Sequence, residues 1–255
     1  MKILSIIVTL LSLCVLAPHV AAEEDPAAVA AKIQSAYEKI NDLQADFVQS
    51  VRFEDFDTPY VSKGKLFLKK GKMRWDYHEP SRQQIVVDGE RLLFYIPEHQ
   101  QAVKSRLGGE SDGHLPLQLL SGAGRLDQDF QISIEEEPRA DRSIALRLIP
   151  KNKQSQLTKV VATVAPSPQV EGLVIQKVTL FERNGNVSTF SFEGIQINKG
   201  FSEEVFTVKY PKGTEVIESP DLQITSVRID SDRSSLRYPP VQGNQVTSWI
   251  HSSIL

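Results

Sequence analysis

The chain has 255 residues, of which 40% are hydrophobic and 24% are charged, and its formal net charge is −3. This composition is that of a globular protein, and the length suits one large β domain or two small ones. The charge is too small and too evenly mixed to indicate nucleic-acid binding.

The first 22 residues have the pattern of a secretory signal peptide. Lys2 supplies a positive start, residues 3–16 form an apolar run that is short for a bilayer span, and Val20-Ala21-Ala22 offers small residues before a cleavage site. We expect cleavage before Glu23. An uncleaved anchor is the alternative, which the small-residue boundary disfavours.

Cys14 is the only cysteine and lies within this predicted signal. A lipoprotein signal needs a small residue where Leu13 stands, so lipidation of Cys14 is not expected. The mature protein is therefore predicted to be unlipidated, free of cysteine and stabilised without disulfides.

The mature chain is predicted to begin with one helix, followed by many strands. Asp25-Pro26 starts a predicted helix over 26–42, in which apolar residues recur at helical spacing: Val29, Ile33, Ala36 and Ile40. The hydrophobic period then changes to two, and Gly, Pro or Asp marks the turns, which predicts antiparallel strands. These predicted strands are 43–53, 62–70, 72–78, 83–89, 91–97, 130–137, 143–150, 159–166, 172–185, 186–198 and 203–211.

Two segments depart from this strand pattern. Residues 106–129 are glycine-rich at both ends, and a short predicted helix between them carries Leu115, Leu119 and Leu120 on one side. Residues 219–255 are polar and interrupted by proline and glycine, so we interpret them as a C-terminal extension that is loosely packed or partly disordered. The domain proper is predicted to span 23–218. Its expected fold is mainly β, a single curved antiparallel sheet or open barrel with helices packed on one face.

Strand alternation assigns an apolar face to this sheet, and the opposite face is polar enough to be solvated. The apolar positions are Leu66, Leu68, Met73, Trp75, Tyr77, Leu92, Phe94, Ile144, Leu146, Leu148, Val178, Leu180, Phe190 and Phe192. Most apolar faces are ordinary core, here covered by the N-terminal helix. About eleven strands, however, enclose more surface than one long helix and one short segment can fill. A ligand cavity is a natural use of the remainder.

Several motifs carry a family resemblance. They are F-x-Q at 47–49, G-x-L-x-L-K-K at 64–70, M-R-W-D-Y-x-x-P at 73–80, V-D-G at 87–89, F-Y-x-P-x-x-Q-Q-A-V at 94–103, LPLQLLSG at 115–122, ERNGNVSTFSF at 182–192 and EEVFTVKYPKGTEV at 203–216. In this order and spacing, over about residues 27–218, the chain resembles the outer-membrane lipoprotein carrier (LolA) family.

The resemblance implies an incomplete antiparallel barrel of about eleven strands, with helices as a lid over an apolar cavity, in the periplasm of a Gram-negative bacterium. Proteins of this family take lipoproteins from an inner-membrane ABC-type exporter, shield their acyl chains and pass them to an outer-membrane acceptor. A monomer is expected. The implied cavity residues are Phe47, Leu66, Leu68, Met73, Trp75, Tyr77, Leu92, Phe94, Leu146, Leu148, Phe190 and Phe192; the implied lid residues are Leu115, Leu119 and Leu120.

The chain departs from the family pattern at the turn after the second predicted strand. Lys70 stands where the family has an arginine that contacts the lid, and Gly71 replaces a proline. Lysine lacks the planar guanidinium fork, so a lid contact through Lys70 is expected to be more labile. Met73 replaces an aromatic residue and is expected at the rim of the cavity.

No catalytic or metal-binding motif emerges from the sequence. Residues 109–113, GESDG, match the nucleophile pattern G-x-S-x-G, but Ser111 lacks the strand-turn-helix context that this motif requires. The mature histidines show no metal-ligand spacing: His78, His99, His114 and His251. We therefore predict neither an enzyme nor a cofactor.

Two functions of different class remain. The first is a soluble carrier of acylated lipoproteins. The second is a periplasmic sensor that uses the same half-barrel to detect lipid or mislocalised lipoprotein and signals through a protein contact. A lipid-loaded complex with stoichiometric protein cargo favours the first, and a stable complex with a membrane signalling protein favours the second.

Overall fold

The computed structural model of the protein describes residues 24–54, 56–89, 91–106, 126–136 and 142–219. The predicted signal peptide with Cys14, the predicted lid residues Leu115, Leu119 and Leu120, and the C-terminal extension from residue 220 lie outside these ranges. Ser111, His114 and His251 lie outside them as well.

A single sheet forms the body of the domain, as the alternating sequence predicts. Its strands are β1 (Asp42–Arg52), β2 (Tyr60–Lys69), β3 (Lys72–Glu79), β4 (Gln83–Asp88), β5 (Arg91–Ile96), β6 (Gln101–Arg106), β7 (Phe130–Glu136), β8 (Ile144–Pro150), β9 (Leu157–Pro166), β10 (Leu173–Glu182), β11 (Val187–Ile197) and β12 (Glu215–Ser219). Their order is β12-β6-β5-β4-β3-β2-β1-β11-β10-β9-β8-β7, so β12 and β7 are edges and the sheet does not close. An incomplete antiparallel barrel is therefore confirmed, with one exception among the strand pairs: β12 runs parallel to β6.

The helix α1 (Pro26–Glu38) packs across the sheet against β10 and β7. Pro26 occupies its first turn, and Asp25 caps it by accepting a hydrogen bond from the Ala27 backbone N–H at 3.0 Å. The buried face consists of Val29, Ala30, Ile33, Ala36 and Tyr37. The helix ends four residues earlier than the predicted range of 26–42, because β1 begins at Asp42. One further helical turn, α2 (Leu126–Asp129), precedes β7.

One edge of the sheet, formed by β6 and β12, and the segment before β12 differ from the prediction. The sequence does not predict β6 or β12, and the predicted strand over 203–211 is wrong. Residues Glu203–Phe206 form a 3₁₀ turn instead, and 207–211 have no strand partner.

Residues 199–214, here called the strap, connect β11 to β12 by crossing the outer face of the sheet. Phe201 packs on Phe67 of β2 with ring centroids 5.8 Å apart, and Tyr210 packs on Tyr95 of β5 at 5.7 Å. The Arg74 side chain of β3 donates a hydrogen bond to the Val205 carbonyl oxygen at 2.5 Å. The outer face of β2 to β5 is therefore partly covered, whereas the sequence predicts a solvated face.

Charged side chains hold the strap to the sheet. Glu203 lies 2.7 Å from the Lys69 amine and 3.1 Å from the Lys72 amine. At the strap's origin, Asp42 accepts hydrogen bonds from the backbone N–H groups of Lys199 and Gly200.

None of the helices in the described part of the chain is both long and apolar enough to cross a membrane.

Candidate functional site: the interior of the open sheet

The twelve predicted cavity residues come together in one buried cluster on the inner face of the sheet. None is more than 6% exposed. The cluster draws on both halves of the sheet: Phe47 (β1), Leu66 and Leu68 (β2), Met73, Trp75 and Tyr77 (β3), Leu92 and Phe94 (β5), Leu146 and Leu148 (β8), and Phe190 and Phe192 (β11). Alternation thus identifies the inward face correctly, and a role of these residues in lipid binding stays a prediction.

Aromatic rings fill the centre of this interior. Trp75 meets Phe47 edge-on at 4.7 Å between ring centroids and lies 5.3 Å from Phe190, while Phe47 also meets Tyr77 edge-on at 4.9 Å. Edge-to-face pairs of this kind contribute about 0.5–1.5 kcal/mol beyond area burial. The aromatic cluster is therefore a packed and specific arrangement.

Gly64 creates the space for the Phe47 ring. It is the register partner of Phe47 on β2, and a Cβ atom there would lie 2.8 Å from two carbons of the Phe47 ring and 2.0 Å from the Asp76 carbonyl oxygen. No side chain fits at this position without movement of the backbone. The glycine of the G-x-L-x-L-K-K motif thus serves packing of the interior.

The far end of the interior, toward the β10–β11 turn, is more polar. Strand alternation places four buried polar side chains on the inner face there: Gln49, Ser62, Gln83 and Ser188. Tyr77 lies beside them, and burial raises the pKa of its phenol far above the usual range. This phenol therefore remains neutral at any physiological pH.

A small pocket opens at the opposite end of the interior, beneath the C-terminal turn of α1. Its walls are Tyr37, Leu43, Ala45, Leu66, Leu68, Ile175, Phe192 and Ile195. Its volume is about 10 Å³, room for about one water molecule. An acyl chain does not fit into this pocket unless neighbouring elements move.

The roof of the pocket is α1, which is held to the sheet by its buried apolar face and by several specific contacts. The Tyr37 hydroxyl oxygen accepts a hydrogen bond from the Ile175 backbone N–H at 3.4 Å, and burial raises the pKa of this phenol well above its usual range. Gly172 permits close packing, because a Cβ atom there would lie 2.6 Å from the Lys32 carbonyl oxygen. Lys39 pairs with the exposed Glu171 at 2.8 Å.

Two residues singled out in the sequence stand differently in the structure. Met73 is 1% exposed and packs within the core cluster, so the expectation of an open rim position is wrong for it. Lys70 is exposed at the β2–β3 turn. Its expected partners, the lid leucines, lie outside the described residues, and the lid contact stays a prediction.

Sequence reasoning missed Ile195 as a wall of the pocket. The β1–β11 register shifts between Gln44 and Asp46, which face Gln196 and Glu193, and Gly194 in this bulge has a positive φ of 58°. The bulge reverses the alternation, so Ile195 rather than residue 194 points inward. A glycine within a strand is the one sequence signal that indicates such a bulge.

The described residues contain no group of three or more histidine, cysteine, aspartate or glutamate side chains placed to hold a metal ion.

Comparison with known proteins gives a consistent family. A family model described as outer membrane lipoprotein carrier protein LolA matches residues 38–209. An outer-membrane lipoprotein carrier protein from Methylococcus capsulatus is 30% identical over 189 residues, which cover 73% of this chain and 86% of that protein. Another, from Nitrosospira multiformis, is 28% identical over 187 residues, covering 72% of this chain and 86% of that protein.

Among solved structures, an uncharacterized conserved protein from Thermus thermophilus has a similar fold. It is 13% identical with a TM-score of 0.50, and the match covers 76% of this chain and 100% of that one. At this identity the likeness concerns the fold alone.

Proposed function

Because the chain belongs to the outer membrane lipoprotein carrier protein LolA family, we propose that it is a periplasmic carrier for lipoproteins. In this proposal the interior of the sheet binds the acyl chains of lipoproteins released from the inner membrane. The protein then delivers them to an acceptor at the outer membrane. The observation that carries the proposal is the buried apolar cluster of the open sheet, which α1 covers in the part of the chain that the structure describes.

The physical need for such a protein follows from the chemistry of acyl chains. Each methylene group exposed to water costs about 0.8 kcal/mol, so a lipid-modified protein does not leave a membrane unaided. An apolar interior offsets this cost during transit. The predicted cavity residues, from Phe47 to Phe192, are the side chains that we expect to line the chain's path.

The packed state of the interior has a consequence for affinity. The Phe47, Trp75 and Phe190 rings bury one another, so an acyl chain that enters among them replaces contacts within the protein rather than water. The net gain on binding is therefore smaller than the area of the chain suggests. This suits a carrier, because cargo that binds too tightly is not released.

The partners in this proposal are acylated lipoproteins, an inner-membrane ABC-type exporter and an outer-membrane acceptor, and the carrier acts as a monomer. No catalytic step is invoked. Binding, shielding and release are sufficient for the function.

The decisive experiment uses the mature protein purified from the periplasm of its own bacterium. Native mass spectrometry should detect an acylated lipoprotein bound at one copy per carrier. In reconstitution, the loaded protein should transfer its cargo to outer-membrane vesicles. Recovery of a protein without lipid cargo, in stable complex with a membrane signalling protein, would instead support the sensor function.

A pair of variants tests whether the interior is the binding site. Ala45 lines the pocket, and Ala45→Met extends a side chain into it. Ala165 lies half-buried on β9 with the opposite orientation, so Ala165→Met makes the same change away from the interior. We expect the first variant to bind a synthetic triacylated lipopeptide about tenfold more weakly and the second to bind it normally. Equal affinities would place the acyl chains elsewhere.

A further inference from the structure

Two buried polar atoms of the interior have no hydrogen-bond partner among the described residues: Trp75 Nε1 and, at the polar far end, Ser188 Oγ. Trp75 is 1% exposed, and no described residue accepts a hydrogen bond from its indole Nε1–H. Buried donors in folded proteins are nearly always paired, and an unpaired one calls for a specific reason. The indole N–H is a donor only, so whatever pairs with it must offer an acceptor.

Trp75 lies directly behind the pocket beneath α1. Its register partner on β2 is Leu66, and its ring lies 6.1 Å from that of Phe192. Both Leu66 and Phe192 line the pocket. A ligand that enlarges this pocket therefore reaches the Trp75 ring before it reaches the polar far end.

The surroundings of Trp75 restrict the acceptor to a neutral group. Its partners in ring contacts and in strand register are aromatic or aliphatic: Phe47, Leu66, Tyr77, Ile85, Phe190 and Phe192. None of them carries a charge to balance a carboxylate, and an unpaired buried carboxylate is strongly disfavoured. An ester or amide carbonyl fits these surroundings, whereas a free fatty acid in its ionised form does not.

We infer that Trp75 Nε1–H is a hydrogen-bond donor to an acyl carbonyl oxygen of the bound lipid. The protein thereby prefers acyl chains attached through an ester or amide over chains attached through an ether. This inference deepens the proposed function and rests on it, since it assigns the acyl linkage that the same interior recognises.

The test compares two lysophosphatidylcholines of equal chain length, one with a palmitoyl ester and one with the matched hexadecyl ether. Their affinities for the mature protein are measured by calorimetry below the critical micelle concentrations. We expect the ester to bind about fivefold more tightly, the usual net effect of one hydrogen bond. Trp75→Phe keeps an aromatic ring and removes the N–H, so it should abolish the ester preference: the ratio of the ester affinity to the ether affinity should fall to about one.

Ser188→Ala is the matched control, since Ser188 Oγ is also buried and unpartnered among the described residues. Its register partners Val51 and Leu180 place it at the far end of the interior. The ester preference should survive this change. Its loss in Ser188→Ala, or its retention in Trp75→Phe, would overturn the assignment of Trp75.

Infrared spectroscopy supplies a readout that a packing role would not move. An isotope-labelled ester carbonyl should absorb at lower frequency in the parent protein than in Trp75→Phe, because a hydrogen bond weakens the C=O bond. Equal binding of ester and ether by the parent protein would refute the inference but not the proposed function. If the parent protein binds neither the lysolipids nor a triacylated lipopeptide, the proposed function itself is refuted.

Discussion

At the scale of single residues, Gly64 determines how tightly the interior can pack. A Cβ atom at this position would lie 2.0 Å from the Asp76 carbonyl oxygen and 2.8 Å from the Phe47 ring. We expect Gly64→Ala to lower the free energy of unfolding by about 1–3 kcal/mol, because the backbone must shift away from Asp76 and the Phe47 ring must also give way. Denaturant unfolding at pH 7 measures the change. Gly71→Asn is the control: Gly71 lies in a turn with φ of 76° and open space around it, a conformation that asparagine tolerates. Its stability should stay within about 0.5 kcal/mol of the parent. A Gly64→Ala protein as stable as the parent would show that the backbone at this position and the Phe47 ring can both move at little cost.

At the scale of elements, the strap depends on a carboxylate between two amines. Hydrogen bonds from Lys69, and to a smaller extent from Lys72, hold the pKa of the Glu203 carboxyl below its usual value. The same hydrogen bond to Glu203 is the main cause that raises the pKa of Lys72, whose amine also lies 3.4 Å from Asp88. A lowered carboxyl pKa stabilises the fold above the unfolded value of about 4.3, and this contribution is lost as pH falls through the folded pKa. A raised lysine pKa stabilises the fold below about pH 10.4, and this contribution is lost as pH rises through the pKa of the folded state.

We therefore expect the strap to be held most firmly between about pH 5 and pH 10. Hydrogen exchange of the β12 amides, corrected for intrinsic rates, should show weaker protection at about pH 3.5 than at pH 7. Glu203→Gln should show the weaker protection already at pH 7. Protection that is equal in parent and variant at both pH values would mean that aromatic packing alone holds the strap.

The strap also shows where prediction from sequence stops. Val205, Thr207 and Lys209 alternate with Phe206, Val208 and Tyr210 as a strand would, yet this segment packs its aromatic side chains on an existing sheet and pairs with no strand. Alternation reports which side chains are buried on one face; it does not report whether the backbone has a partner. The strand β6 is short and polar, and its outer partner β12 is more than a hundred residues away in the chain. Local pattern carries no signal of such pairing.

The interior was predictable to a greater degree because its residues obey local rules. Phe47, Trp75 and Phe190 lie on strands in which apolar and polar residues alternate. The apolar face of each of these strands contributes to the same cluster. The pocket was not predictable, since it arises where α1 meets the bulge at Gly194, two elements far apart in the sequence. That the rings of Phe47, Trp75 and Phe190 pack against one another follows from tertiary structure and has no signature in the periodicity.

At the scale of the whole molecule, the pocket beneath α1 is too small for an acyl chain, so binding there requires part of the structure to move. The central strands are joined by continuous backbone pairing, from β1 to β2 and from β1 to β11. The helix α1 is joined to the sheet by side-chain packing, the hydrogen bond between Ile175 N–H and Tyr37, and the exposed ion pair of Lys39 with Glu171, a type of pair worth about 0–1 kcal/mol. Among the elements that line the pocket, α1 is the one that is not part of the sheet, so we expect α1 to be the element that moves. We expect a bound triacylated lipopeptide to increase hydrogen exchange of the α1 amides and to leave the central β1 amides protected. Tyr37→Phe should accelerate ligand association about two- to fivefold, because it removes one hydrogen bond that holds the closed state. Tyr95→Phe, which changes a buried tyrosine packed against the strap, is the control and should leave the association rate unchanged. Stopped-flow displacement of a fluorescent fatty-acyl probe measures both rates. Unchanged exchange in α1, with new exchange at the edge strands β7 or β12, would show that the acyl chain enters by parting the sheet and that the helix is a fixed wall.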